Sequence, residues 1–387
     1  MPFYQRVGRI PRKRHTQFRQ PDGSFYHEEL FGTEGFSGIS SLLYHLRPPT
    51  LVQEIQARPP VPVQVWEQDV HRHHLFRTVD APSGGDAYTG RHLLFYNDDV
   101  TFSIARPTDR MDYFFRNARQ DELYFVHEGS GQLLTQFGRI EYGPGDYLNI
   151  PRGTTYQVQP GGDPQRMVVI ESSGFIQTPK RFRNGYGQFL EWSPFCERDL
   201  RAPADLETRD EAGEFEIRVK VGRTVSSYCY HHHPFDLIGW DGLLFPYAFN
   251  IKDYEPITGR IHQPPPVHQV FEAPGFVVCN FVPRKVDYHP EAIPAPYNHS
   301  NIDSDEVLYF VGGNFLGRKS VEACSITLHP GGIPHGPKPG GLEASLGMEA
   351  TEETAVMMDT FRPLHIAASA EKFDVPEYPY AWLPRDE

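Results

Sequence analysis

Three side chains stand out for what they could do together. The run Asn298-His299-Ser300-Asn301-Ile302-Asp303-Ser304-Asp305-Glu306 sets an imidazole shortly before two carboxylates, and His335 follows in a later Pro334-His335-Gly336-Pro337 turn. Two imidazoles and one carboxylate on one side of a metal, with other positions open, is the ligand pattern of iron(II) oxygenases, and it leaves room for O₂ and a chelating substrate. Zinc more often recruits a closed tetrahedral set, or three imidazoles and a water. Iron(II) is therefore the first expectation and manganese(II) the second. Asp305 and Glu306 compete for the carboxylate position, because a slip of one residue along a strand exchanges the faces on which they lie. A single His among 18 in a chain is more often a surface or hydrogen-bonded group; joint spacing is what lifts this trio. The triplet His231-His232-His233 lacks that support, since neighbouring strand residues point to opposite faces, and it reads as a surface or loop feature.

Ligands this far apart in sequence must be brought together by strands. Aromatic and β-branched runs such as Leu123 to Val126, Tyr147 to Ile150, Val277 to Val282 and Val307 to Val311 are short and punctuated by 34 Gly and 36 Pro, the pattern of a mainly β sandwich or barrel protein. Short helices are expected around Ser37 to Leu46 and Ala367 to Phe373, and rigid connectors at Pro59 to Pro62, Pro160 to Pro164 and Pro264 to Pro266. An internal repeat sets the architecture. Asp121-Glu122-Leu123-Tyr124-Phe125-Val126 recurs as Asp305-Glu306-Val307-Leu308-Tyr309-Phe310-Val311, and Pro151-Arg152-Gly153 with Tyr156 recurs as Pro330-Gly331-Gly332 with His335. Two similar β-modules follow. Because Tyr156 takes the place of His335 and no His precedes Glu122 at the distance that separates His299 from Glu306, the first module is expected to be a metal-free scaffold.

The chain has 387 residues, enough for two or three domains at roughly 150 residues each, and its formal charge is −13 with a pI near 5.8. That charge repels a phosphate backbone, so no nucleic-acid partner is expected. The basic cluster Arg6, Arg9, Arg12, Lys13, Arg14 and Arg19 reads as a solvated arm or a subunit contact. No apolar run approaches the roughly 18 residues of a spanning helix, so no membrane association and a cytoplasmic location are expected. Cys196, Cys229, Cys279 and Cys324 are scattered without a CxxC pair, which fits reduced thiols better than disulfides or zinc.

The stretch Gly145-Asp146-Tyr147-Leu148-Asn149-Ile150-Pro151-Arg152-Gly153 resembles the second motif of the cupin superfamily of jelly-roll barrels. Against the cupin pattern Glu306 is the favoured carboxylate, and Asn301 replaces a further His, leaving a three-ligand site. The resemblance becomes more specific in Tyr26-His27-Glu28-Glu29-Leu30-Phe31-Gly32, in Pro234-Phe235-Asp236-Leu237-Ile238-Gly239-Trp240-Asp241-Gly242, in Arg260-Ile261-His262-Gln263-Pro264-Pro265-Pro266, and in the two segments carrying His299 and His335. In this order they resemble the homogentisate 1,2-dioxygenase family, over roughly Tyr26 to Leu364. The resemblance implies a bicupin: residues 1–250 with a metal-free barrel at about 88–175, and residues 251–387 with the catalytic barrel. It implies iron(II) held by His299, Glu306 and His335, with His262 as acid/base and His329 as a substrate-contacting or ligand-orienting group. It also implies O₂-dependent ring opening of a hydroquinone bearing an acetate group, homogentisate to maleylacetoacetate, by a trimer or hexamer. Two features depart from the family. Six residues separate His299 from Glu306 where five are usual, and Phe315 stands at the position of a substrate-contacting Tyr, so Arg318 or Lys319 is the expected contact for the substrate's carboxylate. Another hydroquinone or gentisate-like acid is the alternative substrate, and a non-catalytic small-molecule-binding cupin the alternative class.

Overall fold

The computed structural model describes residues 3–315 and 321–383, and its regular structure is almost entirely strand. The repeat seen in the sequence is a repeat of topology. Asp121–Glu128 lies between Asp146–Ile150 and Arg166–Ser172 in an eight-stranded sheet, and Asp305–Gly312 lies between Ser325–His329 and Thr354–Thr360 in a six-stranded one. A seven-stranded sheet closes the first barrel; within it Phe114–Asn117 runs parallel to Ala212–Val221.

Alternation along the two homologous strands decides which residues face which space. In the first, Leu123 and Phe125 enter a core shared by both modules, while Tyr124 and Val126 enter the first barrel's own core. In the second, Val307 and Tyr309 join the shared core, while Leu308 and Phe310 turn into the second barrel. Glu122 and Glu306 have the parity of the inward sets. The modules are also laced together by backbone: His74–Arg77 pairs with Ser325–His329, and His365–Ile366 pairs with Arg91–Tyr96.

Inside the first barrel Glu122 meets a guanidinium. Arg91 approaches Glu122 at 2.8 Å and Glu171 at 3.2 Å, and also bonds the Tyr124 hydroxyl. Tyr156, the counterpart of His335, donates its hydroxyl to Glu122 at 2.6 Å. Glu171 is further held by Lys220 and by Asn117 at 2.9 Å. Two buried carboxylates are thus compensated by two buried cations.

Three local expectations are corrected. Ser40–His45 is a strand between His27–Gly32 and Leu237–Gly242, not a helix; Leu43 enters the shared core while Leu42 and Tyr44 join a separate cluster, a period of two hidden by the shortness of the run. Ala368–Phe373 is helical, but of the 3-10 type. His231 and His232 belong to the strand Thr224–His232, and the His233 ring packs between Phe114 and Phe215 at 5.1 and 5.0 Å. In the basic N-terminal segment, Gln5–Gly8 pairs with Leu237–Gly242, and Arg9 bonds the Tyr26 hydroxyl at 2.5 Å.

The strand Ser40–His45 carries a pH-sensitive contact. Burial alone would lower the His45 pKa, but bonds to Asp236 at 2.6 Å and Glu29 at 2.9 Å outweigh it and raise the group to about 9. A folded pKa above the unfolded value gives stability that is complete below about 6.5 and lost as pH rises through 9. Wild-type unfolding free energy should therefore fall by on the order of 2 kcal/mol between pH 7 and pH 10. His45→Gln should be less stable at pH 7 and lack that slope in denaturant titrations; the same slope in the variant would assign it elsewhere.

Candidate metal centre

The site is built at one mouth of the second barrel. Glu306 lies near the start of Asp305–Gly312, and His329 ends its neighbour Ser325–His329, the two being directly opposed across the ladder. His299 and His335 lie in separate loops joined by an isolated antiparallel bridge. Each backbone N–H donates to the other's carbonyl at 2.9 Å, and the rings stand 4.2 Å apart. This reciprocal clamp makes two residues 36 positions apart behave as one element.

His299 Nε2 lies 3.6 Å from Glu306 Oε2, and His335 Nε2 lies 3.4 Å from Glu306 Oε1. Ligand-capable atoms of the three residues all fall within 4.8 Å of one another. Burial by itself would raise Glu306, but three surrounding imidazoles hold its carboxyl well below the usual range. Both ring nitrogens of His335 are buried without a hydrogen-bond partner, although the ring is only 5% exposed as a residue. A buried polar atom without a partner calls for an explanation, and a divalent ion shared by His299, Glu306 and His335 provides one for the nitrogen facing Glu306. The donor set of two nitrogens and a carboxylate fits such an ion.

Asp305 is fully engaged elsewhere. Its Oδ1 accepts from Gly331 N and its Oδ2 from Leu364 N, both at 2.7 Å. Asp121 does the same in the first barrel, accepting from Arg152 N at 3.1 Å and Ile176 N at 2.9 Å. The Asp of each Asp-Glu pair ties two chain turns to a strand start, and the Glu faces the interior.

The remaining predicted residues fall in different places. His262 lines a cavity of about 450 Å³ that His299, Glu306 and His335 also line; its Nδ1 lies 3.7 Å from Asp287 Oδ2, and its ring meets Tyr297 edge-on at 4.9 Å. His329 is buried with Nδ1 2.9 Å from Glu306 Oε1 and Nε2 3.2 Å from the Tyr378 hydroxyl. Phe315 packs on Phe310 at 4.9 Å in the second barrel's core and is not among the described residues that line the cavity. Arg318 and Lys319 lie outside the described residues.

Sequence reasoning missed two residues beside the candidate ligands. Asp359 opposes Glu306 across the ladder, and its Oδ1 is buried without a partner; burial and the Glu306 charge push it above the ordinary carboxyl range. The repeat held the signal, since Glu171 opposes Glu122 in the same way. His73, from a distant part of the chain, sets its ring 5.7 Å from that of His335 and 5.2 Å from that of His329, and only the tertiary pairing of His74–Arg77 reveals it. A second group, His127, Glu128 and Cys324, also clusters within 4.8 Å, but the Arg166 guanidinium 3.6 Å from Glu128 already provides a positive charge there.

Residues 96–251 match the family described as "Homogentisate 1,2-dioxygenase N-terminal". The chain is 41% identical over 386 residues to "Putative dioxygenase SSO1533" of Saccharolobus solfataricus, covering 99% of both proteins. It is 27% identical to the homogentisate 1,2-dioxygenase of Rhodopseudomonas palustris, covering 79% of this chain and 69% of that one. Among solved structures, a cupin 2 conserved barrel domain protein from Leptotrichia buccalis aligns over 76% of this chain and 99% of its own, with 9% identity and a TM-score of 0.36. On the full-length match and the motif order described above, the chain belongs to the homogentisate 1,2-dioxygenase family, on a short divergent branch that it shares with the Saccharolobus protein.

Proposed function

We propose that this protein is an iron(II)-dependent dioxygenase that opens the ring of a dihydroxylated aromatic acid, with homogentisate as the first substrate and maleylacetoacetate as its product. The observation that carries the reading is the convergence of His299, Glu306 and His335, with the unpartnered His335 nitrogens, in the wall of a partly enclosed cavity. Bound there, iron(II) would activate O₂ and increase the acidity of a coordinated ring hydroxyl.

The chain's own residues supply position and proton transfer. His262 takes the proton of the ring hydroxyl, and its Nδ1 faces the Asp287 carboxylate 3.7 Å away. His329 has both ring nitrogens occupied, by Glu306 and Tyr378, so it acts as a positioning residue for the carboxylate. Apolar surface from Leu308 and Met357 lines the cavity and limits the water that reaches the reacting ring. Because Phe315 offers no hydroxyl and packs away from the cavity, a gentisate-like acid is the second reading of the substrate. The location is proposed to be cytoplasmic and the assembly a homo-oligomer.

Protein purified without oxygen and loaded with iron should take up O₂ with homogentisate or gentisate, and much less with unsubstituted hydroquinone. Failure to retain iron, or uptake with none of the acids, would remove the reading. His262→Phe should keep iron near one per chain while lowering turnover roughly 10²–10⁴-fold, the usual contribution of a positioned acid/base group. Iron loss in that variant, measured by elemental analysis, would instead make His262 a ligand.

A further inference from the structure

The cavity contains a cation with no assigned work. Arg284 sits on a two-residue strand, Arg284–Lys285, paired with Ala350–Thr351 at the cavity wall. Its backbone is fixed by the Thr351 hydroxyl, which accepts from Arg284 N at 3.3 Å. Its guanidinium makes no ion pair or side-chain hydrogen bond among the described residues, although Glu353 lines the same space. Other partly buried guanidiniums of this protein are paired with carboxylates, as those of Arg72, Arg152 and Arg218 are. An unpaired guanidinium against a partly enclosed apolar wall forgoes the charge-assisted bonds it is shaped to make.

Arg284 shares the cavity lining with His268. His268, on the 3-10 turn Pro265–His268 that forms part of the wall, is pushed down to about 3, first by burial and then by the charges of Arg284 and His262. Lys338 is the other cation in the lining, and its ammonium lies 5.6 Å over the Tyr378 ring. The lining also carries carboxylates: Glu306, Glu353 and Asp359, whose Oδ1 has no partner. The cavity therefore holds both the candidate ligand trio His299, Glu306 and His335 and two cations, Arg284 and Lys338. A ring carrying hydroxyls at one edge and a carboxylate at another matches both.

We infer that Arg284 is the carboxylate anchor of the substrate, a fork that grips the acid group and sets which ring edge faces His299, Glu306 and His335. This deepens the proposed function and rests on it. The anchor also accounts for how an acid can be held when Phe315 provides no hydroxyl.

Anaerobic titration calorimetry with homogentisate, phenylacetate and hydroquinone tests the anchor without requiring turnover. Arg284→Met should bind homogentisate and phenylacetate about a hundredfold more weakly than wild type, the loss typical of a charge-assisted pair, and bind hydroquinone within about twofold. Arg284→Lys should fall between, retaining charge without the fork. The melting temperature of Arg284→Met should stay near wild type, since no partner is left behind. Unchanged binding of the acids in Arg284→Met overturns the anchor, as does an equal loss of hydroquinone, or a Lys338→Met variant that takes the loss instead. Wild type binding no aromatic carboxylate overturns it too. Failure of the ring-opening reading looks different: iron-loaded wild type would consume no O₂ with any dihydroxylated acid, while Arg284-dependent binding of phenylacetate could persist and would still support the anchor.

Discussion

Glu306→Ala should strip iron from the protein and leave the fold standing, whereas Asp305→Ala should keep the iron and weaken the fold. The two residues are adjacent, yet their surroundings separate them. Glu306 faces His299, His329 and His335, and removing it leaves the two candidate ligand imidazoles without their carboxylate. Iron per chain should drop from near one to a small fraction, and oxygen uptake with it. Asp305 instead accepts two backbone N–H bonds that fasten the turn at Gly331 and the segment at Leu364. Leaving two backbone donors without their acceptor costs about 1–3 kcal/mol each where water cannot replace it. Elemental analysis beside urea titration separates the effects. Iron loss in Asp305→Ala at unchanged stability would exchange the two roles.

Arg91→Met should destabilise the protein by about 3–5 kcal/mol, the cost of leaving buried carboxylates uncompensated. Side chains of Arg91, Glu122 and Glu171 are 7%, 1% and 7% exposed, so water cannot take over from the guanidinium. Glu171 keeps Lys220, but Glu122 keeps only the Tyr156 hydroxyl. Arg91→Met combined with Glu122→Gln should therefore recover part of the loss, a non-additivity that denaturant unfolding can read. A cost under about 1 kcal/mol would mean that the network relaxes.

Much of this arrangement was legible before the fold. The Asp-Glu repeat marked two equivalent strands, and the cupin resemblance favoured Glu306 as the carboxylate. Spacing could not decide between Asp305 and Glu306, because both neighbours lie at a strand start; the backbone donors at Gly331 and Leu364 that engage Asp305 come from other turns and leave no mark in the spacing. Arg91 escaped notice for a similar reason. Its partners Glu122 and Glu171 are 31 and 80 positions away, and a charge in sequence carries no sign of burial. His73 and Asp287 likewise acquire meaning only from tertiary neighbours. The helix expected at Ser37 to Leu46 failed because a short apolar run fits either period.

The strand His74–Arg77 has a consequence for the order in which the chain can mature. Its partner Ser325–His329 is made roughly 250 residues later, a wait of tens of seconds at ordinary synthesis rates. During that time one edge of a buried, apolar strand has no partner from this chain. The six-stranded sheet is thus closed by a piece of chain that leaves the ribosome long before it, and His365–Ile366 returns the exchange by closing the edge of the first barrel's sheet last. The halves are not interchangeable cassettes: residues 251–387 produced alone would lack one strand of their sheet, and transplanting them onto another scaffold would require transplanting His74–Arg77 as well.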